Sequence, residues 1–296
     1  MSSTFFTASP QWRWLILGYF FLGGLAGGSY VLATLMDLFG RSRDRRLVHL
    51  GYLLAFPLVC ACGLVLTVDL GRPGRFWHML IQSETFRPMI KTYSPMSTGA
   101  WALLVFGACA FLSFVAVLAE RGWLGWPLLR RLSPLAPVGR LVTVIGMLLG
   151  FYVAGYTGVL LAVTNRPIWA DTTLLGLTFL ISAASTSAAL LILLGSWGGV
   201  SGDSLDALDR FDASILSLEI VVIAALVVSL GRIAMVWLNG WGLLLAGVML
   251  GGIVLPLSMR WRSPARGVRW AIRPALVLLG GLLLRAVIIF SSDRLS

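Results

Sequence analysis

The chain alternates long apolar stretches with short polar ones, and the apolar stretches are too long for ordinary core segments of a water-soluble fold. A helix that crosses a bilayer needs about 20 mainly apolar residues, and its backbone hydrogen bonds must be satisfied internally. Eight stretches meet this length, at approximately 14–38, 47–68, 98–119, 140–163, 173–196, 213–235, 240–259 and 271–290. The pattern predicts an all-α polytopic membrane protein with eight transmembrane helices, in which residues 1–296 form a single integral-membrane domain. The connections RSRDRR, RGWLGWPLLRRLSPLAP and RWRSPARGVRWAIRP are basic, whereas GDSLDALDRFD is acidic and reads as a loop before the sixth span. The longest connection, Asp69 to Ser97, leaves no room for a soluble domain.

Composition agrees with this picture. Hydrophobic residues make up 58% of the chain and charged residues 12%, against about 25% charged in soluble domains. The formal charge of +11 lies in arginine clusters between spans, where it signals topology and not nucleic-acid binding. Lys and Arg number about fourteen near the connections after spans one, three, five and seven, and about eight on the other side. The first set is therefore expected to be cytoplasmic, with both termini and the 69–97 connection extracytoplasmic. The N-terminal MSSTFFTASPQWRW has neither a basic n-region nor a small-residue cleavage site, so the first apolar run reads as a permanent span.

Glycines and other small residues gather in GGLAGG, GLLLAGVMLGG and SAASTSAA, which predicts close helix packing. Candidate redox ligands are sparse. The three cysteines lie inside apolar runs, and Cys60 and Cys62 differ by roughly 200° around a helix, so they form no cluster or zinc site alone. His49 and His78 sit at opposite ends of the second span, roughly 30 Å apart at 1.5 Å per residue, and cannot ligate one haem together. Ligation by Met79 beside His78 stays open.

Ionisable groups inside spans are functional candidates, because they are costly in lipid. Glu219 is expected in the inner third of the sixth span as a proton-transfer group or a buried partner. Arg285, in the outer third of the eighth, either snorkels to the interface or serves a site. Tyr156 falls at the same outer depth and is either a belt aromatic or a site residue. In DLGRPGRFWHML, Gly71 and Pro73 make a tight exit from the second span that holds Arg72 and Arg75 near the surface, together with Asp69, Trp77 and His78. SPMSTGAW caps the third span with a Ser-Pro turn. A quinol head group needs such a place, with apolar walls, hydrogen-bond partners for two oxygens and a proton acceptor.

LGGLAGGSY, DLGRPGRFWHML, SPMSTGAW, GYTGVLL and LLLRAVIIF resemble the NrfD-like family, the membrane subunits typified by polysulfide reductase, over most of the chain from about Leu15 to Phe290. The resemblance implies eight helices in two four-helix bundles in a bacterial or archaeal cytoplasmic membrane. It implies an exchangeable menaquinone or ubiquinone near the outer face and no haem or metal of the chain's own. The implied partners are a ferredoxin-like iron–sulfur subunit and a molybdopterin or other catalytic subunit. Tyr156 matches the family tyrosine implicated in quinol binding, and Asp69, Arg72, Arg75 and Trp77 match the motif after the second span. The type member also uses a histidine early in the first span. Here WRWLILGYFFLGG has none, leaving Arg13 or Tyr19 as substitutes and His78 as the candidate proton acceptor. A passive membrane anchor and a secondary transporter are the alternatives, although buried charge is too sparse and too near the faces to favour transport.

Overall fold

A computed structural model describes residues 14–123, 136–164, 166–238, 240–262 and 268–292. Arg13, residues 124–135 and 263–267 of the predicted basic connections, and the two termini lie outside the described residues. The described residues are almost entirely helical, with one isolated bridge between Ile81 and Pro88 and eight segments long and apolar enough to span a membrane.

The first five spans are the α-helices α1 (Trp14–Phe39), α2 (Arg45–Asp69), α3 (Pro95–Glu120), α4 (Pro137–Ala162) and α5 (Leu175–Trp197). The sixth is α6 (Gly202–Leu230), extended by a 3-10 segment, Gly231–Trp237. The seventh joins α7 (Gly240–Gly247) to α8 (Leu255–Arg262) through a π-helical segment, Val248–Val254. A second π-helical segment, Val268–Ile272, leads into the last span, α9 (Arg273–Ser291).

Local chemistry sets several of these ends. Ser94 caps α3 by accepting a hydrogen bond from the Ser97 amide at 3.5 Å, with Pro95 in the first turn, where its missing N–H costs nothing. Gly71, at φ +66°, turns the chain out of α2, a conformation that side chains other than glycine rarely adopt. The backbone then enters a 3-10 segment, Pro73–Met79, lying across the end of α2.

One expectation is corrected. GDSLDALDRFD is not a loop but the first turns of α6, which begins at Gly202 and not near residue 213. Ser201 caps it by accepting from the Ser204 amide at 3.4 Å, and Asp203 lies in the first turn, where the helix dipole favours an anion. The segment defeats a hydropathy reading because Asp209 and Asp212 find cationic partners inside the protein. Glu219 consequently lies near the middle of the span, not in its inner third.

The spans pack as two groups, α1 to α4 and α5 to α9, joined where α5 lies against α1 and α4 and where α1 meets α9. Lipid tails are as apolar as leucine, so backbone proximity and polar contacts must hold such a bundle together. A Cβ added to Gly27 would sit 2.3 Å from the Gly150 carbonyl oxygen, and one on Gly252 would sit 2.6 Å from the Gly280 Cα. Two of the predicted small-residue stretches thus mark helix crossings, α1 on α4 and the seventh span on α9. Ser187, in the third, donates to the Gly24 and Leu25 carbonyls at 3.4 and 3.3 Å.

Candidate functional site

The 70–94 connection closes one end of the α1–α4 group. It is held to α3 by the Met89 carbonyl, which accepts from Trp101 Nε1 at 3.1 Å and Ser97 Oγ at 3.2 Å. Beneath it lies a cavity of about 310 Å³, formed by α1 to α4 and roofed in part by Met79. Ile16, Leu66, Leu103 and Leu160 give it apolar walls, and Tyr19, Tyr156 and the exposed Asp69 are the polar residues of its lining.

Tyr156 is the most tightly fixed of the three. Its hydroxyl donates to the Pro95 carbonyl at 2.8 Å. Its ring rests on Gly99, where a Cβ would fall 2.1 Å from the ring's Cζ. The Tyr152 ring stacks on it at 5.5 Å between centroids, and Tyr152 in turn donates to Thr98 Oγ1 at 3.2 Å. The start of α3 therefore supplies both the seat of the ring and the acceptor for its proton. Tyr19, on α1, is buried within electrostatic reach of Tyr156 and Tyr152. Asp69 is the last residue of α2.

A second, larger cavity of about 530 Å³ runs between α2 and α3 and shares Leu66, Leu70, Met79, Ala100 and Leu103 with the first. Its lining is apolar apart from Cys60 and Thr67, and the Thr67 hydroxyl is already committed to the Gly63 carbonyl at 2.7 Å.

Of the residues singled out from sequence, the fold brings Tyr19, Asp69, Met79 and Tyr156 to one cavity and leaves Arg72, Arg75, Trp77, His78, Glu219 and Arg285 out of its lining. Arg72 and Arg75 are exposed on the connection. Trp77 stacks on His78 at 3.8 Å between ring centroids, and His78 Nδ1 meets the Arg75 carbonyl at 3.1 Å, so neither ring joins the cavity lining. The 3-10 turn is the cause, since it folds the connection over the cavity with Met79 inward.

Arg285 is elsewhere too. It is fully buried where α1, α5 and α9 meet, donating to the Gly281 carbonyl at 2.9 Å, Ser182 Oγ at 3.2 Å and the Phe179 carbonyl at 3.3 Å. Its guanidinium also lies over the rings of Phe179 and Phe21, at 5.3 and 5.6 Å. Snorkelling is thereby replaced by an internal site. Glu219 lies against Ser182 and within electrostatic reach of Arg285, so these two residues form a buried polar pair inside the α5–α9 group.

Sequence reasoning missed a larger polar cluster at the opposite end from the connection. Arg273 bonds Asp209, Asp212 (2.9 Å) and the Pro256 carbonyl (3.0 Å), all deep in the protein. Arg260 and Arg269 also reach Asp209, at 3.2 and 3.3 Å, and Ser185 Oγ donates to Asp212 at 2.9 Å. The signal for it was the spacing of Asp203, Asp206, Asp209 and Asp212, each three residues from the next, which makes successive carboxylates neighbours on a helix surface. Gly99 and Tyr152 were also missed. Gly99 lies inside SPMSTGAW, but a flat ring resting on a glycine leaves no mark in one sequence.

A family model described as polysulphide reductase, NrfD, matches residues 2–294. The protein is 26% identical to a membrane-family relative from Wolinella succinogenes named as one of the chains of polysulfide reductase, over 95% of its own length and 94% of the relative's. It is 26% identical to the protein NrfD of Escherichia coli, covering 99% and 98%. It is also 32% identical to one of the subunits of the selenate reductase of Mesobacillus selenatarsenatis over a shorter stretch, 28% of its own length and 20% of the other. With the family model matched over residues 2–294, this multi-pass membrane protein belongs to the NrfD polysulphide reductase family.

Proposed function

We propose that this protein is the haem-free membrane subunit of a respiratory oxidoreductase complex. It binds menaquinone or ubiquinone, or the corresponding quinol, in the cavity beneath the 70–94 connection and exchanges electrons with a ferredoxin-like iron–sulfur subunit docked over that end. A molybdopterin or other catalytic subunit lies beyond. Relatives named as parts of polysulfide and selenate reductases support membership in a reductase complex. The arginine distribution supports an extracytoplasmic connection in a cytoplasmic membrane.

The observation that carries this function is the joining of two differently built cavities. Ligand pockets occupy about 300 to 1,000 Å³ and set a few polar groups in apolar walls, as the 310 Å³ cavity does with Tyr19, Asp69 and Tyr156. The adjoining groove offers almost nothing but hydrocarbon, which suits an isoprenoid tail. Within the pocket, the tyrosines bond the ring oxygens and Asp69 takes the proton, a role the sequence had suggested for His78.

Removing the Tyr156 oxygen tests this directly. A hydrogen bond to a ligand oxygen contributes about 1 kcal/mol or somewhat more. Tyr156→Phe is therefore expected to lower quinol oxidation by the assembled complex about tenfold. Full assembly with an unaltered rate would instead favour a passive anchor.

Glu219 supports coupled proton transfer. It is 4% exposed, near mid-span, beside Ser182 and Arg285, and the serines of α5 lead from there toward Asp212. Glu219→Gln keeps the shape and removes the titrating group. In reconstituted vesicles it is expected to reduce protons translocated per electron while leaving quinol binding intact, and an unaltered ratio would remove Glu219 from the path.

A further inference from the structure

We infer that the cavity beneath the connection is polarised to hold the hydroquinone form of its ligand in preference to the quinone. This rests on the quinone assignment above and adds the redox state of the bound species. The two states differ in hydrogen-bond chemistry: a hydroquinone presents two O–H donors, whereas a quinone presents two carbonyl oxygens that can only accept.

The lining oxygens answer the first and not the second. A tyrosine hydroxyl has one proton to donate and two lone pairs. The proton of Tyr156 is committed to the Pro95 carbonyl at 2.8 Å, so toward the cavity this residue can only accept. To offer that proton to a ligand, Tyr156 would have to give up its bond to the Pro95 carbonyl. Asp69 as a carboxylate is acceptor-only, and among the described residues it makes no ion pair or side-chain hydrogen bond that would occupy it.

Tyr19 is neutral in this choice. Among the described residues its hydroxyl has no hydrogen-bond partner, so it can donate or accept as the ligand requires. The remaining large side chains of the lining, such as Ile16, Leu66, Met79, Met96, Leu103 and Leu160, carry no donor. The cationic Arg72 and Arg75 and the imidazole of His78, which would favour a quinone carbonyl, are outside the lining. Two acceptors and one adaptable hydroxyl thus face a ligand that needs two acceptors when reduced and two donors when oxidised. Binding the quinone leaves at least one of its carbonyls facing a lone pair.

The test is anaerobic titration of the purified full-length protein in lipid nanodiscs with decylubiquinone and menadione, each compared with its own hydroquinone. One satisfied against one opposed hydrogen bond corresponds to about a tenfold difference, so the hydroquinones are expected to bind at least that much more tightly. Asp69→Asn replaces an acceptor-only group with one that can also donate, and is expected to strengthen quinone binding and erase most of the preference. Equal binding of both forms by the parent protein would overturn the polarity while leaving the quinone assignment standing. Tighter quinone binding would do the same. Absence of binding by either form would overturn both. If Asp69→Asn does not yield folded protein, Asp69→Glu serves in its place, and it should keep the hydroquinone preference because it keeps the carboxylate. A preference unaltered in Asp69→Asn would remove Asp69 from the device.

Discussion

Gly99→Ala is expected to slow quinol oxidation by the assembled complex about 100-fold, the loss associated with roughly 1 Å of misplacement at a reacting centre. The added methyl carbon would lie 2.1 Å from Tyr156 Cζ, 2.3 Å from its hydroxyl oxygen and 2.4 Å from Cε1. Ordinary carbon contacts are about 3.5 Å, so the ring must retreat by roughly 1 Å or more from its present seat. Both ways out are damaging. Moving toward the cavity fills the space proposed for the head group, and moving along α4 breaks the 2.8 Å bond to Pro95 and the stacking on Tyr152. The substitution adds a helix-favouring residue to α3, so helix propensity itself opposes no part of the fold. Quinol oxidation measured beside a subunit-assembly assay separates the outcomes. A near-parental rate in a fully assembled complex would mean that the position of Tyr156 does not matter to the reaction.

How much of this was legible in the sequence depended on whether a feature is local. The spans could be read because bilayer thickness imposes a length that few other structures require: six of the eight apolar runs fall within a helical span, and the other two overrun theirs by one or two residues. The Ser94 cap and the Gly71 turn were legible for a similar reason, since each is decided within a few neighbouring residues. Tyr19, Asp69 and Tyr156 were named individually, but their meeting depends on how α1 to α4 pack. DLGRPGRFWHML reads in sequence as one surface, whereas its 3-10 turn brings Met79 to the cavity lining and leaves the Trp77–His78 stack out of it. The error at α6 had the opposite origin. Hydropathy scores each aspartate as though it faced lipid or water alone, and Asp209 and Asp212 face arginines that are distant in the sequence, Arg260 and Arg273. The choice at Arg285 between the interface and a site could not be made from sequence, because its distance from the helix end says nothing about the α5 groups that receive it, the Phe179 carbonyl and the Ser182 hydroxyl.

The largest stability effect is expected at Arg273. Its side chain is fully buried, as is that of Asp209, while Asp212 is 1% exposed. Pairs of this kind gain little over a well-packed apolar substitute, but breaking one by removing a single partner strands the other charge and costs about 3 to 5 kcal/mol. Arg273→Met keeps much of the side-chain length and should lower the unfolding free energy, read from denaturation in mild detergent, by an amount of that order. Arg260 and Arg269 still reach Asp209, at 3.2 and 3.3 Å, but Asp212 keeps only Ser185 as a hydrogen-bond partner among the described residues. The stranded charge is therefore mainly that of Asp212. Arg273→Met combined with Asp212→Asn should regain most of the lost stability, whereas Arg273→Met combined with Asp206→Asn should not, because Asp206 pairs with Arg269 and not with Arg273. Parental stability of Arg273→Met alone would show that the cluster tolerates a lone buried carboxylate. Failure of Asp212→Asn to rescue would place the loss in the Arg273 bond to the Pro256 carbonyl, the link between α9 and the start of α8.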